Sequence, residues 1–396
     1  MTTEEFIKLF REEDIRSLAL QGSRYPEVDM PFALNQIGGW QIARTKLPSW
    51  AIQEGILYPP HLSMEQCSSE KTALYKARLV TGKSMADLTG GFGVDFSFMA
   101  REFEEACYVE RQQELCSIAE HNMKALGLKH ANVVCDNAEK YLRTMQPVDV
   151  IYLDPARRDA TGNRTYAIED CTPNVLSLKE ELLMKAQRVM VKLSPMLDWH
   201  KALHDIPEVT EVHIVATQNE CKELLLVMER PTRKKPFSEQ NYDTRIVCVN
   251  DDTIVSYTLS ELLPSTIQIA LPMDDATRGT LYEPNVTLMK AGCFSLLCQR
   301  YGVMKIAKDS NLFFSDEIVD FPGRSFTIEG VSTLNKKELK THLRGIERAN
   351  IAVRNFPLTA EELRKRLKLK DGGDHYLFGT TDSEGKHVII ITRKQR

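Results

Sequence analysis

Nowhere in this 396-residue chain does an apolar run approach the roughly 20 residues that a bilayer-spanning helix needs, so a membrane protein of helical type is not expected. The first residues, Met1 to Asp14, are acidic and interrupted by charge every few positions. They lack the basic start and apolar centre of a secretory leader, and a cytoplasmic protein is the expectation. Glycine (20) and proline (17) are too sparse for a fibrous or low-complexity chain. The nine cysteines, at 67, 107, 116, 135, 171, 221, 248, 293 and 298, are odd in number and form no Cys-x-x-Cys pair. That argues against a disulfide framework and against a zinc ribbon, and reduced, mostly buried thiols are expected. His200 and His204 fall on one helical face, but the glutamate of a zincin motif and a third ligand are missing, so no metal is expected.

What remains is 42% hydrophobic and 27% charged, the composition of a globular chain long enough for two or three domains. The net charge of −4 hides an asymmetry. Residues 321–396 hold 16 Lys+Arg against 9 Asp+Glu, whereas residues 1–320 hold 35 against 46. A basic final module beside an acidic body has the footprint of polyanion docking, although a charge run is most often a solvated face.

Four segments are expected. Residues 1–80 show helical spacing in Phe6, Leu9, Phe10 and Ile15 with breaks at Pro48 and Pro59-Pro60, and read as a helical cap. Residues 81–235 alternate short apolar runs with amphipathic stretches, the pattern of a parallel sheet with helices on both faces. That module ends differently: the runs Glu211–Ala216 and Glu223–Met228 are separated by too few residues for a parallel crossover, so they form an antiparallel hairpin. The basic segment Arg230 to Pro236 reads either as a solvated linker or as a phosphate-contacting loop. Residues 236–320 hold short strands and a helix around Leu288 to Tyr301. Residues 321–396 follow a β-α-β-α-β-β order, which gives a small sheet with its helices on one face.

Chemistry concentrates at the ends of the parallel strands. Asp87-Leu-Thr-Gly-Gly-Phe-Gly-Val-Asp95 places Asp87, Thr89, Gly91 and Gly93 in the first strand-to-helix turn, where glycine lets a ligand approach the backbone. A dinucleotide fingerprint would need glycine at position 96, which is Phe96, and this opposes a nicotinamide-dependent dehydrogenase. Glu110, 23 residues after Asp87, ends the second strand where an acid can accept both ribose hydroxyls of an adenosine ligand. Asp136 and Asn137 follow the third strand and suit an adenine amino group; Asp154-Pro155 follows the fourth. Each alone could be a turn or helix cap, but the ordered set of four lines one crevice.

These residues resemble the class I S-adenosylmethionine-dependent methyltransferases over about residues 80–230. The resemblance implies an α/β, Rossmann-like seven-stranded methyltransferase sheet, with S-adenosylmethionine as cofactor. It also implies that Asp87, Thr89, Gly91 and Gly93 hold the methionine end, Glu110 the ribose, and Asp136 with Asn137 the adenine. Asp154-Pro155 looks like the Asp/Asn-Pro-Pro-aromatic signature of enzymes that methylate exocyclic base nitrogens, with Ala156 and Arg157 in place of the second proline and the ring. A uracil C5 route would need a cysteine where the chain reads Val191-Lys-Leu-Ser-Pro195. Adding Ser68-Ser-Glu-Lys-Thr-Ala-Leu-Tyr-Lys76, Asn355-Phe-Pro-Leu and Leu369-Lys-Asp-Gly-Gly-Asp374, nearly the whole chain resembles a bacterial methyltransferase family with a small ferredoxin-like domain and a C-terminal THUMP-like domain.

The expected activity is therefore methylation of a base nitrogen in RNA (tRNA or rRNA), with Asp154 and Pro155 orienting the acceptor amine. Arg157, Arg158 and Arg164 either contact the polyanion or pair with Asp159, Glu169 or Asp170; Lys365, Arg366 and Lys368 on the basic module would dock the RNA. A small-molecule or protein methyltransferase, and an RNA-binding protein with a decayed site, are the competing expectations.

Overall fold

The apolar runs that alternate with amphipathic stretches after residue 80 fold as one twisted sheet. The computed structural model describes residues 1–157, 168–230, 243–262, 267–274 and 276–395. Two units emerge: Met1–Val212 with Glu223–Asn241, and His213–Lys222 with Tyr242–Arg396.

The first unit begins with six helices, α1 (Thr3–Phe10), α2 (Ile15–Ala19), α3 (Met30–Lys46), α4 (Pro48–Ile52), α5 (His61–Gln66) and α6 (Glu70–Ala77). Their starts are written in side chains: Thr2 and Glu5 form a reciprocal capping box, and Asp14, Asp29 and Ser69 each accept a backbone N–H of the first turn. Phe6, Leu18, Ala33 and Ile37 bury together at their centre.

The sheet follows with β1 (Ser84–Asp87), β2 (Glu105–Glu110), β3 (Ala131–Cys135), β4 (Val148–Leu153), β5 (Ala186–Leu193), β6 (Val209–Thr217) and β7 (Glu220–Glu229). These seven strands take the order β3-β2-β1-β4-β5-β7-β6 in a sheet of nine, two more than expected. The pairs β1/β2, β1/β4, β2/β3 and β4/β5 are parallel, and β7 runs antiparallel to β5, with Arg188 opposite Glu229 and Leu193 opposite Leu224. The Rossmann-like fold with its closing antiparallel strand is thus the one expected. Helices α7 (Val94–Met99), α8 (Gln113–Ala125), α9 (Ala138–Thr144), α10 (Val175–Lys185) and α11 (Trp199–Asp205) fill the connections. Because β1 connects outward to β2 and β4 returns on its other side, the two strands splay their C-terminal loops apart, which opens a ligand crevice at that edge.

In the second unit, β8 (Arg245–Asn250) and β9 (Thr253–Thr258) form an antiparallel pair. A seven-stranded sheet then takes in β10 (Thr280–Pro284), β11 (Met304–Ala307), β12 (Ser310–Ser315), β13 (Gly323–Ser332), β14 (Asn350–Arg354), β15 (His375–Thr381) and β16 (His387–Lys394), in the order β11-β12-β10-β13-β16-β15-β14. The single helix expected near Leu288–Tyr301 is two, α12 (Val286–Ala291) and α13 (Phe294–Tyr301), because Gly292 takes a left-handed φ of 69° that ends the first. Position 320/321 falls inside this sheet, since β10 pairs β12 on one side and β13 on the other. Helices α14 (Lys336–His342) and α15 (Ala360–Leu367) set Leu339, Leu363 and Leu367 against Leu377, Ile389 and Ile391, one face of its last strands.

Candidate active site

The loop after β1 is shaped by what a side chain would strike. A Cβ on Gly90 would lie 2.1 Å from the Tyr108 ring, and Gly91 and Gly93 take φ of 56° and 82°. Tyr108 is buried and its hydroxyl donates to the Gly91 carbonyl, so the turn is pinned against β2. Glu110 braces the same turn: one carboxylate oxygen accepts the Gly91 N–H and the other the Gln112 N–H, each at 3.0 Å. Each oxygen keeps a second acceptor site for a ligand hydroxyl.

Asp87 is fully buried and accepts the Thr89 N–H at 2.9 Å. Desolvation pushes its carboxyl well above the ordinary range; the Thr89 N–H opposes this and the negative charges of Asp95, Asp154 and Glu110 add to it. A buried acid facing further acids is a ready partner for a cation. Asp136 accepts the Asn137 N–H at 2.8 Å and the Lys140 ammonium at 3.1 Å. Asn137 caps α9, its side-chain oxygen accepting from Glu139 and Lys140, so the capping alternative describes what that side chain does here.

The β4 loop meets the glycine loop directly. The Asp154 N–H donates to the Thr89 hydroxyl at 2.6 Å, and the Leu88 N–H to the Tyr152 carbonyl at 3.0 Å. Asp154 has a 40% exposed side chain, Pro155 is buried, and Ala156 is exposed. Ala156–Arg157 pairs with Cys171–Thr172 as a two-residue ladder. Arg158 and Arg164 lie outside the described residues, as does the Arg157 side chain. Glu169, named above as a possible partner of those arginines, pairs with Lys201 at 3.0 Å.

Sequence reasoning assigned no role to the groups beneath Asp154. Lys192, near the end of β5, sets its ammonium 2.5 Å from Asp154, 3.6 Å from Asp95 and 3.2 Å from the Ser68 hydroxyl. Ser68 donates to Asp95 at 2.8 Å, and Tyr152 does so at 2.7 Å. Lys76, with no exposed surface, bonds both oxygens of Glu223 at 2.7 and 2.6 Å, contacts Ser68 at 3.2 Å, and forms an ion pair with Asp95 at 3.1 Å. Burial alone would raise Asp95, but Lys76, Lys192 and the two hydroxyls outweigh it and hold the carboxyl down to about 2. The available signal was a lone lysine inside the apolar run Val189-Met-Val-Lys-Leu193, which a strand buried on both faces does not tolerate without a partner.

In the second unit, Lys365, Arg366 and Lys368 are exposed at the end of α15, where Lys365 pairs with Glu361 at 3.0 Å and Lys368 supplies the left-handed cap. His200 and His204 are solvent-facing and sit beside Asp198 and Asp205. All nine thiols are free; Cys135 is exposed and Cys67, Cys107 and Cys221 half-buried.

Compared with known proteins, residues 71–208 match a family described as conserved hypothetical protein 95, residues 281–322 a ferredoxin-like domain and residues 323–394 a THUMP domain-like family. A crystal structure from Porphyromonas gingivalis W83, provisionally named a methyltransferase, is 33% identical with a TM-score of 0.87, covering 99% of this chain and 97% of that one. Two uncharacterized S-adenosylmethionine-dependent methyltransferases from two strains of Mycobacterium tuberculosis are each 24% identical over 139 residues. Those matches span 35% of this chain and 37% of each relative.

Proposed function

We propose that this chain, which belongs to the class I S-adenosylmethionine-dependent methyltransferases with a ferredoxin-like and a C-terminal THUMP-like domain, methylates a base nitrogen of RNA at Asp154-Pro155. The donor fits the residues present. A Cβ position at Gly91 meets only the Thr89 carbonyl oxygen, at 3.7 Å, so the turn is open to a ligand there; Glu110 keeps acceptor capacity for ribose hydroxyls, and buried Asp87 and its acidic neighbours favour a cationic ligand. S-adenosylmethionine supplies an electrophilic methyl group on a cationic sulfur, whose departure as a neutral thioether demands no acid. What the chain itself must do is aim the acceptor lone pair. The Asp154 carboxylate and the Pro155 carbonyl are hydrogen-bond acceptors that can take the hydrogens of an exocyclic amine, turning its lone pair toward the methyl group.

The observation that carries this reading is the double anchoring of Asp154, whose backbone is tied to the donor loop through Thr89 and whose carboxylate is tied to Lys192. Ala156 offers no ring to stack on, so the motif recognises its acceptor by edge contacts. The basic module, with Lys365, Arg366 and Lys368 exposed, favours a polyanionic acceptor. Tritiated methyl transfer to total RNA from a strain lacking the protein, followed by nucleoside analysis, should yield a labelled N-methyl nucleoside. Label in protein or small molecules instead would refute the RNA reading. Asp154→Ala should lower transfer by on the order of 10²–10³-fold with cofactor affinity unchanged by calorimetry. Equal loss of cofactor binding would move Asp154 to the donor site.

A further inference from the structure

The ion cluster beneath Asp154 joins two parts of the first unit that are far apart in sequence. Ser68 and Lys76 come from the helical region, just before and on α6; Asp95 lies in the first turn of α7, Tyr152 in β4 and Asp154 just after it, Lys192 in β5 and Glu223 in β7. Ser68 uses its hydroxyl fully, donating to Asp95 and accepting from Lys76 and Lys192. The Lys192 ammonium donates to Asp154 and to Ser68 and lies 3.6 Å from Asp95, so it is directed at these groups of the chain. Although burial disfavours its charge, the carboxylates of Asp154, Asp95 and Glu223 raise Lys192 above the ordinary lysine range, so it does not serve as a proton acceptor.

We propose that Lys192 and Ser68 are positioning residues for methyl transfer, fixing the Asp154 carboxylate through a buried lattice that Lys76, Asp95 and Glu223 anchor. The proposal rests on the methyltransferase reading above, and it gives the N-terminal helical region a role, since that region delivers Ser68 and Lys76 to the floor of the acceptor site. The ammonium of Lys192, itself seated on Ser68, holds one carboxylate oxygen and so restricts the rotamers of a side chain that is otherwise 40% exposed. Misplacing a reacting group by about 1 Å can cost on the order of 10²-fold in rate.

The test is a double-mutant cycle in the full-length protein. Lys192→Met should lower kcat by on the order of 10²-fold, leaving KM and cofactor affinity unchanged, and Lys192→Arg should restore part of the loss because a guanidinium still donates to Asp154. In an Asp154→Asn background, which removes the charged partner, Lys192→Met should cost little more. An equal loss in both backgrounds, or an unchanged kcat in the single variant, would overturn the proposal. Should Lys192→Met not fold, Ser68→Ala, which deletes one hydroxyl, carries the same cycle with a loss of about tenfold expected. A crystal structure of either variant gives a readout independent of activity: an Asp154 side chain in its original rotamer also overturns the proposal. A wild-type protein that transfers no methyl group to any acceptor would instead refute the methyltransferase reading, and the structural readout would still decide the positioning role.

Discussion

Asp87 is the residue at which function and stability pull apart. Its carboxyl is buried, one backbone N–H holds it, and three neighbouring acids oppose its ionisation. A carboxyl whose folded value is raised above its unfolded one weakens the fold wherever it is ionised, at neutral pH above all. The penalty shrinks as pH falls through the raised value and vanishes below the unfolded value of about 3.9. Asp87→Asn keeps an oxygen for the Thr89 N–H and removes the charge. The variant should melt about 2–4 °C higher at pH 7 if it gains about 1 kcal/mol, and the gap should close on acidification. Its cofactor affinity should fall, because the buried charge that a cationic donor relieves is gone. A variant that melts lower at pH 7 would show that Asp87 stabilises the loop instead. Asp95, eight positions on in the same motif, carries the opposite sign. Its carboxyl is held down, so its contribution is present above the unfolded value and is lost as pH falls toward about 2.

Among the elements, α6 is the one whose loss would reach furthest. It projects Lys76 into a site with no exposed surface, against Glu223 on β7 and Asp95 on α7. Replacing the ammonium by an apolar group of similar length leaves two buried carboxylates facing one another. Lys76→Met should therefore destabilise the protein by about 3–5 kcal/mol in chemical denaturation, the cost of removing one partner of a buried pair. A change below about 1 kcal/mol would mean that water or Lys192 compensates the acids. The glycine turn shows a related dependence between elements. Gly90 is needed because Tyr108 on β2 lies where its side chain would be, so the loop conformation is set by a neighbouring strand as much as by its own residues.

At the scale of the whole molecule, the basic module is continuous with the strands before it in one sheet. Removing residues 321–396 would strip β13 from β10 and deprive Leu281, Leu312 and Phe314 of Phe326, Phe378 and Ile390 in their shared core. RNA docking is therefore better tested by charge reversal in place. Lys365→Glu, Arg366→Glu and Lys368→Glu alter exposed positions, and each should change stability by no more than about 0.5 kcal/mol. Together they should weaken RNA binding and flatten its dependence on salt by about one unit of slope for each phosphate no longer neutralised. An unchanged slope would place the docking surface elsewhere.

Periodicity and turn chemistry were enough to locate most elements. The strand and helix alternation expected after residue 80 and the β-α-β-α-β-β order expected over residues 321–396 are both present, and the short link after Ala216 correctly required neighbouring strands of a hairpin. These are local properties, set by side-chain alternation, capping oxygens and connection length. The same holds for the acids that end β1 to β4, because strand ends in a parallel sheet share one edge and their residues can be read in order. Which charges face one another is not local. Ser68 and Lys76 belong to the helical cap, Lys192 to β5 and Glu223 to β7, and nothing in their own neighbourhoods marks them as partners. Buried charge is tolerable only with counter-charge at hydrogen-bond distance, a condition met in three dimensions alone. The sequence by itself thus determined the fold and the row of acids at its edge, while the tertiary structure decided that Lys192, bonded to Ser68, meets the Asp154 carboxylate.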